Sequence, residues 1–169
     1  MKIKKRNKPQ IIKPTESAET KGLCTIFLAG SIEMGAAEDW QTIVTNKMEE
    51  FEIPVTLFNP RRDSWDSSWE QRESNPQFNQ QVNWEMDRLN ECDFIFMYFS
   101  PGTKSPISLL ELGLHADSKK MIVCCPDEFW RKGNVEIVCS RHKIPLHDNI
   151  EDAMSCLASV VTSGLINKL

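Results

Sequence analysis

The sequence predicts a doubly wound α/β fold, in which helices cover both faces of a parallel sheet. Short apolar runs alternate with amphipathic stretches along most of the chain, and short turns connect them. Such runs are typical of strands that are buried on both faces, and their alternation with helices favours parallel pairing. With 169 residues, of which 40% are hydrophobic, the chain is long enough to form one domain with a substantial core.

The predicted strands are short apolar runs, and three of the five end directly before Gly, Asn or Pro, the residue types that interrupt regular structure. The clearest of them is the run FIFMYF at 94–99, which has no charged residue. The predicted strands are 24–29, 55–58, 94–99, 121–125 and 144–146.

The predicted helices are stretches in which apolar side chains recur every three or four residues. In the stretch 82–92 this spacing predicts that Val82, Met86 and Leu89 face the core, whereas Trp84 lies elsewhere on the helix. The predicted helices are 36–51, 82–92, 105–116 and 149–168, and the stretch 135–139 is either a helix or a strand.

The charge of the chain is unevenly distributed. Residues 1–21 contain seven Lys or Arg and two Glu, a net charge of +5, so residues 22–169 carry −9 and the whole chain −4. The first segment is rich in Lys, Pro, Thr and Ser, which predicts a flexible basic tail in front of one domain over 22–169. An acidic domain argues against general nucleic-acid binding, which depends on Lys and Arg at the phosphates.

The composition also limits the location of the protein. No stretch reaches the ~20 apolar residues that cross a bilayer, and the N-terminus is basic where a secretory signal is apolar. The six cysteines form no C-x-x-C pair and lie mostly in apolar runs, which predicts reduced thiols and no metal site. We therefore expect a cytoplasmic protein with no membrane segment, and the basic tail is compatible with a nuclear location.

Three loops are the predicted binding region. Ligands of open α/β sheets bind at the carboxyl ends of the strands, where the strand order reverses. This rule selects the loops that begin at Gly30, Asn59 and Ser100. Gly30 either lets the backbone approach a ligand closely or forms a tight turn. No G-x-G-x-x-G or P-loop sequence occurs, so neither a dinucleotide nor a P-loop phosphate site is predicted.

The second of these loops is long. The polar segment 59–79 contains Trp65 and Trp69, and a loop of this length within a compact domain is usually functional. The two tryptophans are expected either to stack on a ligand and cover the site or to pack on a neighbouring subunit.

The third loop leads into a helix that carries a carboxylate within an apolar sequence. Ser105-Pro106 predicts the helix start, with the Ser105 side chain accepting free N–H groups of the first turn. Glu111 stands within LLELGL, and Ser108 and His115 share its stripe of the helix at three residues before and four after. Because an unpaired buried carboxylate is costly, Glu111 must face solvent or a cleft. The stripe therefore predicts either an anchored nucleophile or a solvated surface.

A second carboxylate, Glu85, interrupts the helix before the third strand in the same way. We expect Glu85 and Glu111 to converge across the crevice. Paired carboxylates at an anomeric carbon serve glycosyl chemistry, in which one attacks C1 and the other orients hydroxyls or moves protons. His115 either orients Glu111 or is an ordinary surface residue, and Asp93 is interpreted as a structural residue at the boundary of helix and strand.

Five segments within about residues 24–125 carry a family resemblance. They are Ile26–Ser31 (IFLAGS), Phe58–Arg62 (FNPRR), Val82–Glu85 (VNWE), Cys92–Ile95 (CDFI) and Ser105–Gly113 (SPISLLELG). In this order they resemble the nucleoside 2-deoxyribosyltransferase family, in particular its nucleoside 2-deoxyribosyltransferase-like branch. The Glu-x-Gly sequence at Glu111 is the most specific element.

The resemblance implies a flavodoxin-like (Rossmann-like) subunit with a five-stranded sheet in three layers, no cofactor, and assembly into homodimers or larger homo-oligomers. It places the nucleophile on Glu111, which attacks the deoxyribose C1′, and the holding of the sugar and assistance to the base on Glu85. The arginines offer bidentate donors to a base edge or a phosphate. The substrate-binding residues expected from the loops and the resemblance are Gly30, Ser31, Asn59, Arg61, Arg62, Ser105 and Ser108.

Three functions remain open at this point. The first is transfer of the sugar of a (deoxy)nucleoside to a second free nucleobase through a covalent glycosyl-glutamate. The second is hydrolysis by a (deoxy)nucleoside 5′-monophosphate N-glycosidase, because Ser105 stands where the classical transferases have Asp in an Asp-x-Gly-Thr pattern. The third is a non-catalytic nucleotide-binding module whose crevice is covered by the segment 59–79.

Overall fold

The computed structural model describes residues 8–22, 24–33, 37–63 and 66–166. Within these residues, six strands form one parallel sheet, and five α-helices and one short 3₁₀ turn connect or flank them. The strands are β1 (Gln10–Ile12), β2 (Cys24–Gly30), β3 (Val55–Phe58), β4 (Phe94–Tyr98), β5 (Met121–Cys124) and β6 (Leu146–His147). The helices are α1 (Trp40–Glu50), α2 (Pro76–Glu91), α3 (Pro106–His115), α4 (Lys132–His142) and α5 (Ile150–Ile166), with the 3₁₀ turn at Ala116–Ser118.

The strand order places a switch point at the centre of the sheet. The order is β1-β3-β2-β4-β5-β6, and every neighbouring pair is parallel. The chain runs from β2 to β3 on one side and then crosses to β4 on the other side, so the direction of winding reverses between β2 and β4. This order of β2 to β6 is flavodoxin-like, and the predicted α/β class is confirmed.

The sixth strand comes from the segment that was predicted to be a flexible tail. Residues 10–12 pair with residues 56–58 of β3, and the Ile12 side chain is buried. The Asn59 N–H donates to the Ile12 carbonyl (3.0 Å), which extends the pairing by one residue. The interpretation of 1–21 as flexible throughout is therefore wrong for β1. The reason is that the edge of β3 offers unpaired backbone groups, which even a short apolar segment can satisfy.

Alternate side chains of β2 enter two separate cores. Ile26 and Leu28 face α1 and α5, where Trp40 and Leu157 are fully buried. Phe27 and Ala29 face the opposite way, toward the core that is formed with α2, α3 and α4. The three-layer arrangement follows, and it places α2, α3 and α4 on the same face of the sheet.

Helix α2 begins six residues before the predicted start at Val82. Asn75 caps it, because its Oδ1 accepts from the Phe78 N–H (3.0 Å), and Pro76 occupies the first helical position. An Asn-Pro pair is a known helix start, so the sequence carried this signal. The polar loop after β3 is therefore shorter than the predicted 59–79 and ends at Asn75.

The buried face of α2 also differs from the predicted one. Trp84 is only 8% exposed, and its ring lies 6.2 Å from that of Phe27 and 6.3 Å from that of Phe58. Met86, which was predicted to face the core, is 49% exposed. The larger apolar area of the indole decides the rotation of the helix. The same rotation turns the next residue, Glu85, partly into the interior.

The other differences concern the ends of elements. Helix α1 begins at Trp40 rather than at residue 36, because Asp39 caps it and accepts from the Thr42 N–H (3.3 Å). The stretch 135–139 is helical within α4, and the last strand is shifted to Leu146–His147. Within the described parts of the chain, no helix has both the length and the apolar character that crossing a membrane requires.

Candidate active site

Glu85 of α2 and Glu111 of α3 form an electrostatically coupled pair. Both side chains are partly buried between apolar residues of their helices. Burial raises the pKa of Glu111 to about 8, and the charge of Glu85 contributes to the increase. Burial also raises the pKa of Glu85 to about 7, although a hydrogen bond from Gln81 opposes the increase. Near neutral pH the two carboxyl groups are therefore partly protonated and carry less than two negative charges between them.

Gln81 connects this pair to the loop after β3. Its Nε2 donates to Glu85 Oε1 (2.6 Å) and to the Pro60 carbonyl (3.2 Å). Gln81 is buried one helical turn before Glu85, and its Oε1 has no hydrogen-bond partner among the described residues. Because the donor stabilises the ionised form of Glu85, it favours the negative charge on Glu85 and the proton on Glu111.

Three buried hydroxyl groups occupy the switch point between β2 and β4. Ser31 Oγ lies 2.6 Å from Ser105 Oγ and 3.0 Å from Thr103 Oγ1, and the last two are 2.8 Å apart. Ser31 Oγ accepts from the Ser100 N–H (2.8 Å), and Thr103 Oγ1 donates to the Ser100 carbonyl (2.8 Å). One of the three hydroxyl hydrogens is thus used by Ser100, and two remain for three oxygen contacts. All three hydroxyl groups of this hydroxyl cluster are therefore engaged with one another or with the Ser100 backbone. The cluster joins the loop after β2 to the loop before α3.

The predicted cap of α3 by the Ser105 side chain is wrong. Ser105 adopts a left-handed conformation (φ 46°, ψ 53°), and its hydroxyl makes no bond to the first turn of the helix. A carboxylate from the loop after β2 instead binds the backbone just before the helix, because Glu33 Oε1 accepts from the backbone N–H groups of Lys104 and Ser105 (2.5 and 2.6 Å). An acidic group at this position is favourable because it faces the positive end of the helix dipole.

A glycine is required at Gly30 because β2 and β4 approach each other closely there. A Cβ atom at this position would lie 2.1 Å from the Tyr98 carbonyl oxygen, and the φ angle is 136°. The adjacent Ser31 N–H donates to the same oxygen (2.9 Å). The close approach that the sequence left open is therefore made to β4 of the same chain.

A family model described as "Nucleoside 2-deoxyribosyltransferase like" matches residues 23–129, the part of the chain that contains both carboxylates and the hydroxyl cluster. The chain belongs to the nucleoside 2-deoxyribosyltransferase-like family.

The fold of this family member is also found among solved structures. It is similar to a crystal structure described as a conserved protein from Enterococcus faecalis V583, with a TM-score of 0.57 and 9% identity. The similarity covers 84% of this chain and 99% of the other, and at this identity it concerns the fold alone. Among curated proteins no match is found.

In this nucleoside 2-deoxyribosyltransferase-like domain, Arg61 is engaged within the protein. Its Nε donates to Gln41 Oε1 (3.2 Å), and its Nη2 donates to the carbonyls of Glu38 (2.9 Å) and Ala37 (3.4 Å). Asp39 lies 3.6 Å from the same guanidinium. Arg61 therefore fixes the start of α1 against the loop after β3. The ligand contact that the sequence predicts for Arg61 stays a prediction beside these intramolecular bonds.

The other predicted residues of that loop have different surroundings. Asn59 is buried, and its Oδ1 accepts from the Arg61 N–H (3.0 Å), so it stabilises the turn. The Arg62 guanidinium lies over the ring of Trp69 at 5.0 Å, and its Nη1 is buried without a hydrogen-bond partner among the described residues. Arg62 is thus a cation of this loop with an unused donor, whereas Trp65 lies outside the described residues.

Ser108 and His115 occupy the predicted stripe of α3 beside Glu111. Ser108 is buried and His115 is half-buried. Burial lowers the pKa of His115, and the charge of Lys120 lowers it further, so the imidazole is neutral at pH 7. In the described part of the chain, neither side chain forms a hydrogen bond with Glu111.

Asp93 has the structural role that the sequence indicated. Its Oδ2 accepts from the N–H and the hydroxyl of Thr25 (2.8 and 3.1 Å), which joins the amino ends of β2 and β4. This end of the sheet is opposite to the hydroxyl cluster. Within the described residues, no group of three or more His, Cys, Asp or Glu is placed to hold a metal ion.

Sequence reasoning missed Glu33 and Gln81. Glu33 meets its partners from 71 and 72 positions away, so no local spacing reveals the contact. Gln81 lies one residue before the predicted helix start at Val82, although its spacing of four residues from Glu85 is that of neighbours on a helix. An earlier helix start, read from Asn75-Pro76, would have identified it.

Replacement of Ser31 by Ala tests the hydroxyl cluster. It leaves the buried Ser100 N–H without its acceptor, so we expect a loss of about 1–3 kcal/mol in the free energy of unfolding. Urea denaturation measures this loss. The matched control is Ser155→Ala on α5, where an exposed hydroxyl donates to the Glu151 carbonyl and its removal should have little effect. Equal stabilities of the two variants would show that the cluster does not hold the loops together.

Proposed function

We propose that this protein cleaves the N-glycosidic bond of a (deoxy)nucleoside through a covalent intermediate on Glu111 and transfers the sugar to a second free nucleobase. The observation that carries this proposal is the coupled pair of Glu85 and Glu111, two partly buried carboxyl groups with raised pKa values. Membership of the nucleoside 2-deoxyribosyltransferase-like family supports a nucleoside-type substrate. Carboxyl pairs whose environments differ are typical of acid and nucleophile assignments in glycosyl transfer.

The first step uses both carboxyl groups. In the reactive form Glu111 is ionised and Glu85 carries the shared proton. A carboxylate oxygen of Glu111 attacks C1′, the bond from C1′ to the base nitrogen breaks, and Glu85 gives its proton to the departing base. Gln81 favours the negative charge on Glu85 in the free protein, so this mechanism requires the proton to move from Glu111 to Glu85 before the attack.

The second step reverses the first with a new base. A nitrogen of the incoming base attacks C1′ on the face that the first base left, the ester bond to Glu111 breaks, and Glu85 accepts the proton of the incoming base. Two inversions give overall retention of configuration at C1′. Burial of both carboxyl groups limits the access of water to the ester, which favours a nucleobase as acceptor.

A base-exchange assay tests this reaction. The protein is incubated with a deoxynucleoside and a different free nucleobase, and the products are separated by chromatography. A new deoxynucleoside supports the transferase, whereas free deoxyribose alone supports the hydrolase. Thermal stabilisation by the nucleoside without release of base over hours would support a binding module and contradict the proposal.

A trapping experiment identifies the nucleophile. A 2-fluoro-2-deoxynucleoside slows the breakdown of the glycosyl ester, so intact mass should show a sugar-sized adduct on the protein. Peptide mapping should place the adduct on Glu111. An adduct on a different residue would contradict the assigned mechanism even if base exchange occurs.

We also propose that a second copy of this chain covers α3. Ile107, Leu110 and Leu114 are each about 60% exposed and share the outer face of the helix, while Leu112 faces the core. A helix that is apolar on both faces is normally buried. Because this outer face borders the stripe of Glu111, a homodimer formed here would also shield the carboxyl pair from water. A cytoplasmic location is likewise proposed, in agreement with the free cysteines.

Replacement of Leu110 by Lys is expected to shift the protein from dimer to monomer, because it introduces a charge at the centre of the apolar face. Sedimentation at several micromolar concentrations measures this change. Ile43→Lys on α1 is the matched control, since Ile43 is 39% exposed on the opposite side of the sheet. A monomeric wild-type protein, or equal dissociation of both variants, would contradict this interface.

A further inference from the structure

We propose that Gln81 directs the glycosyl group to a nucleobase rather than to water, because its amide weakens Glu85 as a general base. This inference rests on the proposed glycosyl chemistry at Glu111, and it concerns the step in which the glycosyl ester breaks down. Gln81 is a positioning residue, since it acts through its hydrogen bond to Glu85.

The Gln81 amide can present only a donor to Glu85. Its Nε2 has two hydrogens, and both are used, one at Glu85 Oε1 (2.6 Å) and one at the Pro60 carbonyl (3.2 Å). If the amide were rotated by 180°, Gln81 Oε1 would face the Pro60 carbonyl oxygen, which has no hydrogen to donate. Pro60 therefore fixes the amide with its N–H groups toward Glu85 in every protonation state of the carboxyl pair.

This hydrogen bond is the contact that stabilises an ionised Glu85 among the described residues. Burial raises the pKa of Glu85, and the bond from Gln81 opposes the increase. In the ester intermediate Glu111 is neutral, so it no longer shares a charge with Glu85. The arginines of α2 and of the loop after β3 lie against other groups, which are Glu91 for Arg88, backbone carbonyls for Arg61 and the ring of Trp69 for Arg62.

The glycosyl ester has two possible acceptors. In transfer, a nitrogen of the base attacks C1′, the bond from C1′ to the Glu111 oxygen breaks with its electron pair on Glu111, and the N–H proton passes to Glu85. In hydrolysis, a water oxygen attacks C1′, the same bond breaks, and a proton of the water passes to Glu85. A nucleobase N–H is a stronger acid than water, so hydrolysis depends more on the strength of the base that takes the proton. By lowering the pKa of Glu85, Gln81 therefore slows hydrolysis more than transfer.

The partition of products tests the proposal. A deoxynucleoside and a second free base are incubated with the wild-type protein or with Q81M, and the ratio of free deoxyribose to exchanged nucleoside is determined. Met fills the space of the amide but has no donor, so we expect the ratio to rise about three- to tenfold. Both products arise from the same ester, so the ratio does not depend on the folded fraction or on the rate of the first step. An unchanged or lower ratio would overturn the inference.

Gln80 provides the matched control. It is the preceding residue of α2 and is exposed, so Q80M makes the same chemical change away from Glu85 and should leave the ratio unchanged. If Q81M does not fold, Q81N takes its place, because its shorter amide cannot reach both partners and should raise the ratio in the same way. An equal rise in Q80M would also overturn the role of Gln81.

A titration separates this inference from the proposed reaction. In E111Q, Glu85 titrates without its coupled partner, so NMR of its carboxyl carbon reports its own pKa. Addition of Q81M should raise the pKa of Glu85, because the donor is lost, whereas addition of Q80M should not. If no nucleoside is cleaved but this rise occurs, the proposed reaction is wrong while the control of Glu85 by Gln81 stands. If bases are exchanged but Q81M leaves the pKa of Glu85 unchanged, the inference is overturned and the proposed reaction stands.

Discussion

Replacement of Glu111 by Gln is expected to reduce kcat/KM for base exchange by at least ~10³-fold. The amide has nearly the shape of the carboxyl group, so it fills the same space on α3, but it cannot form the ester with C1′. The exchange assay measures the loss, and intact mass should show no adduct with the 2-fluoro-2-deoxynucleoside. Both readouts concern the chemical step and should not depend on a change of fold.

The same substitution is expected to stabilise the protein at alkaline pH. The pKa of Glu111 is raised from 4.5 to about 8 in the folded protein. Between these values the unfolded chain releases a proton that the folded protein retains, so the wild-type protein loses stability as the pH rises. Gln has no proton to release. We expect E111Q to exceed the wild-type protein by about 1–3 kcal/mol at pH 8 and by little at pH 4.5.

Urea denaturation at the two pH values measures this difference. Glu136→Gln on α4 is the control, because Glu136 is exposed and should affect neither activity nor stability. Retention of activity in E111Q would exclude Glu111 as the nucleophile. A loss of activity together with a loss of stability at pH 8 would indicate a structural role for the carboxyl group instead.

The class of the fold and the two carboxylates could be predicted from local sequence. The apolar runs of β2 to β5 are flanked by turn residues, so their positions agree with the structure within one or two residues. Glu85 and Glu111 were recognisable because each interrupts an apolar helix, where a carboxylate has no structural use. Both patterns depend only on residues that are close together in the chain, so the sequence alone is enough to detect them.

Features that depend on distant partners could not be predicted. Strand β1 has three residues, and only its pairing with β3 defines it. The face of α2 follows from the rings of Phe27 and Phe58, which are far from Trp84 in the sequence. In the same way, Ser31 was recognised as a residue of the binding loop, but the hydrogen-bond partners of its side chain lie 69 to 74 positions away.

Replacement of Gly30 by Ala is expected to lower the free energy of unfolding by about 4 kcal/mol or more, which is a large part of the stability of a domain. The added Cβ would lie 2.1 Å from the oxygen, 2.8 Å from the nitrogen and 2.9 Å from the carbonyl carbon of Tyr98. All three are backbone atoms of β4, so no side-chain rotation relieves the contact. Relief requires β2 and β4 to separate, which also breaks the bond from the Ser31 N–H to the Tyr98 carbonyl.

Two other glycines separate the clash from the backbone strain. Gly102 also has a positive φ (78°), but a Cβ there meets no atom within 4 Å, so Gly102→Ala should cost only about 1 kcal/mol, the strain of the left-handed region. Gly133 in α4 has the same free space without a positive φ, and Gly133→Ala should stabilise by about 0.5–1 kcal/mol. Urea denaturation ranks the three variants. If Gly30→Ala costs no more than Gly102→Ala, the contact with β4 does not require glycine, and a close approach of a ligand becomes the better reason for its presence beside the hydroxyl cluster.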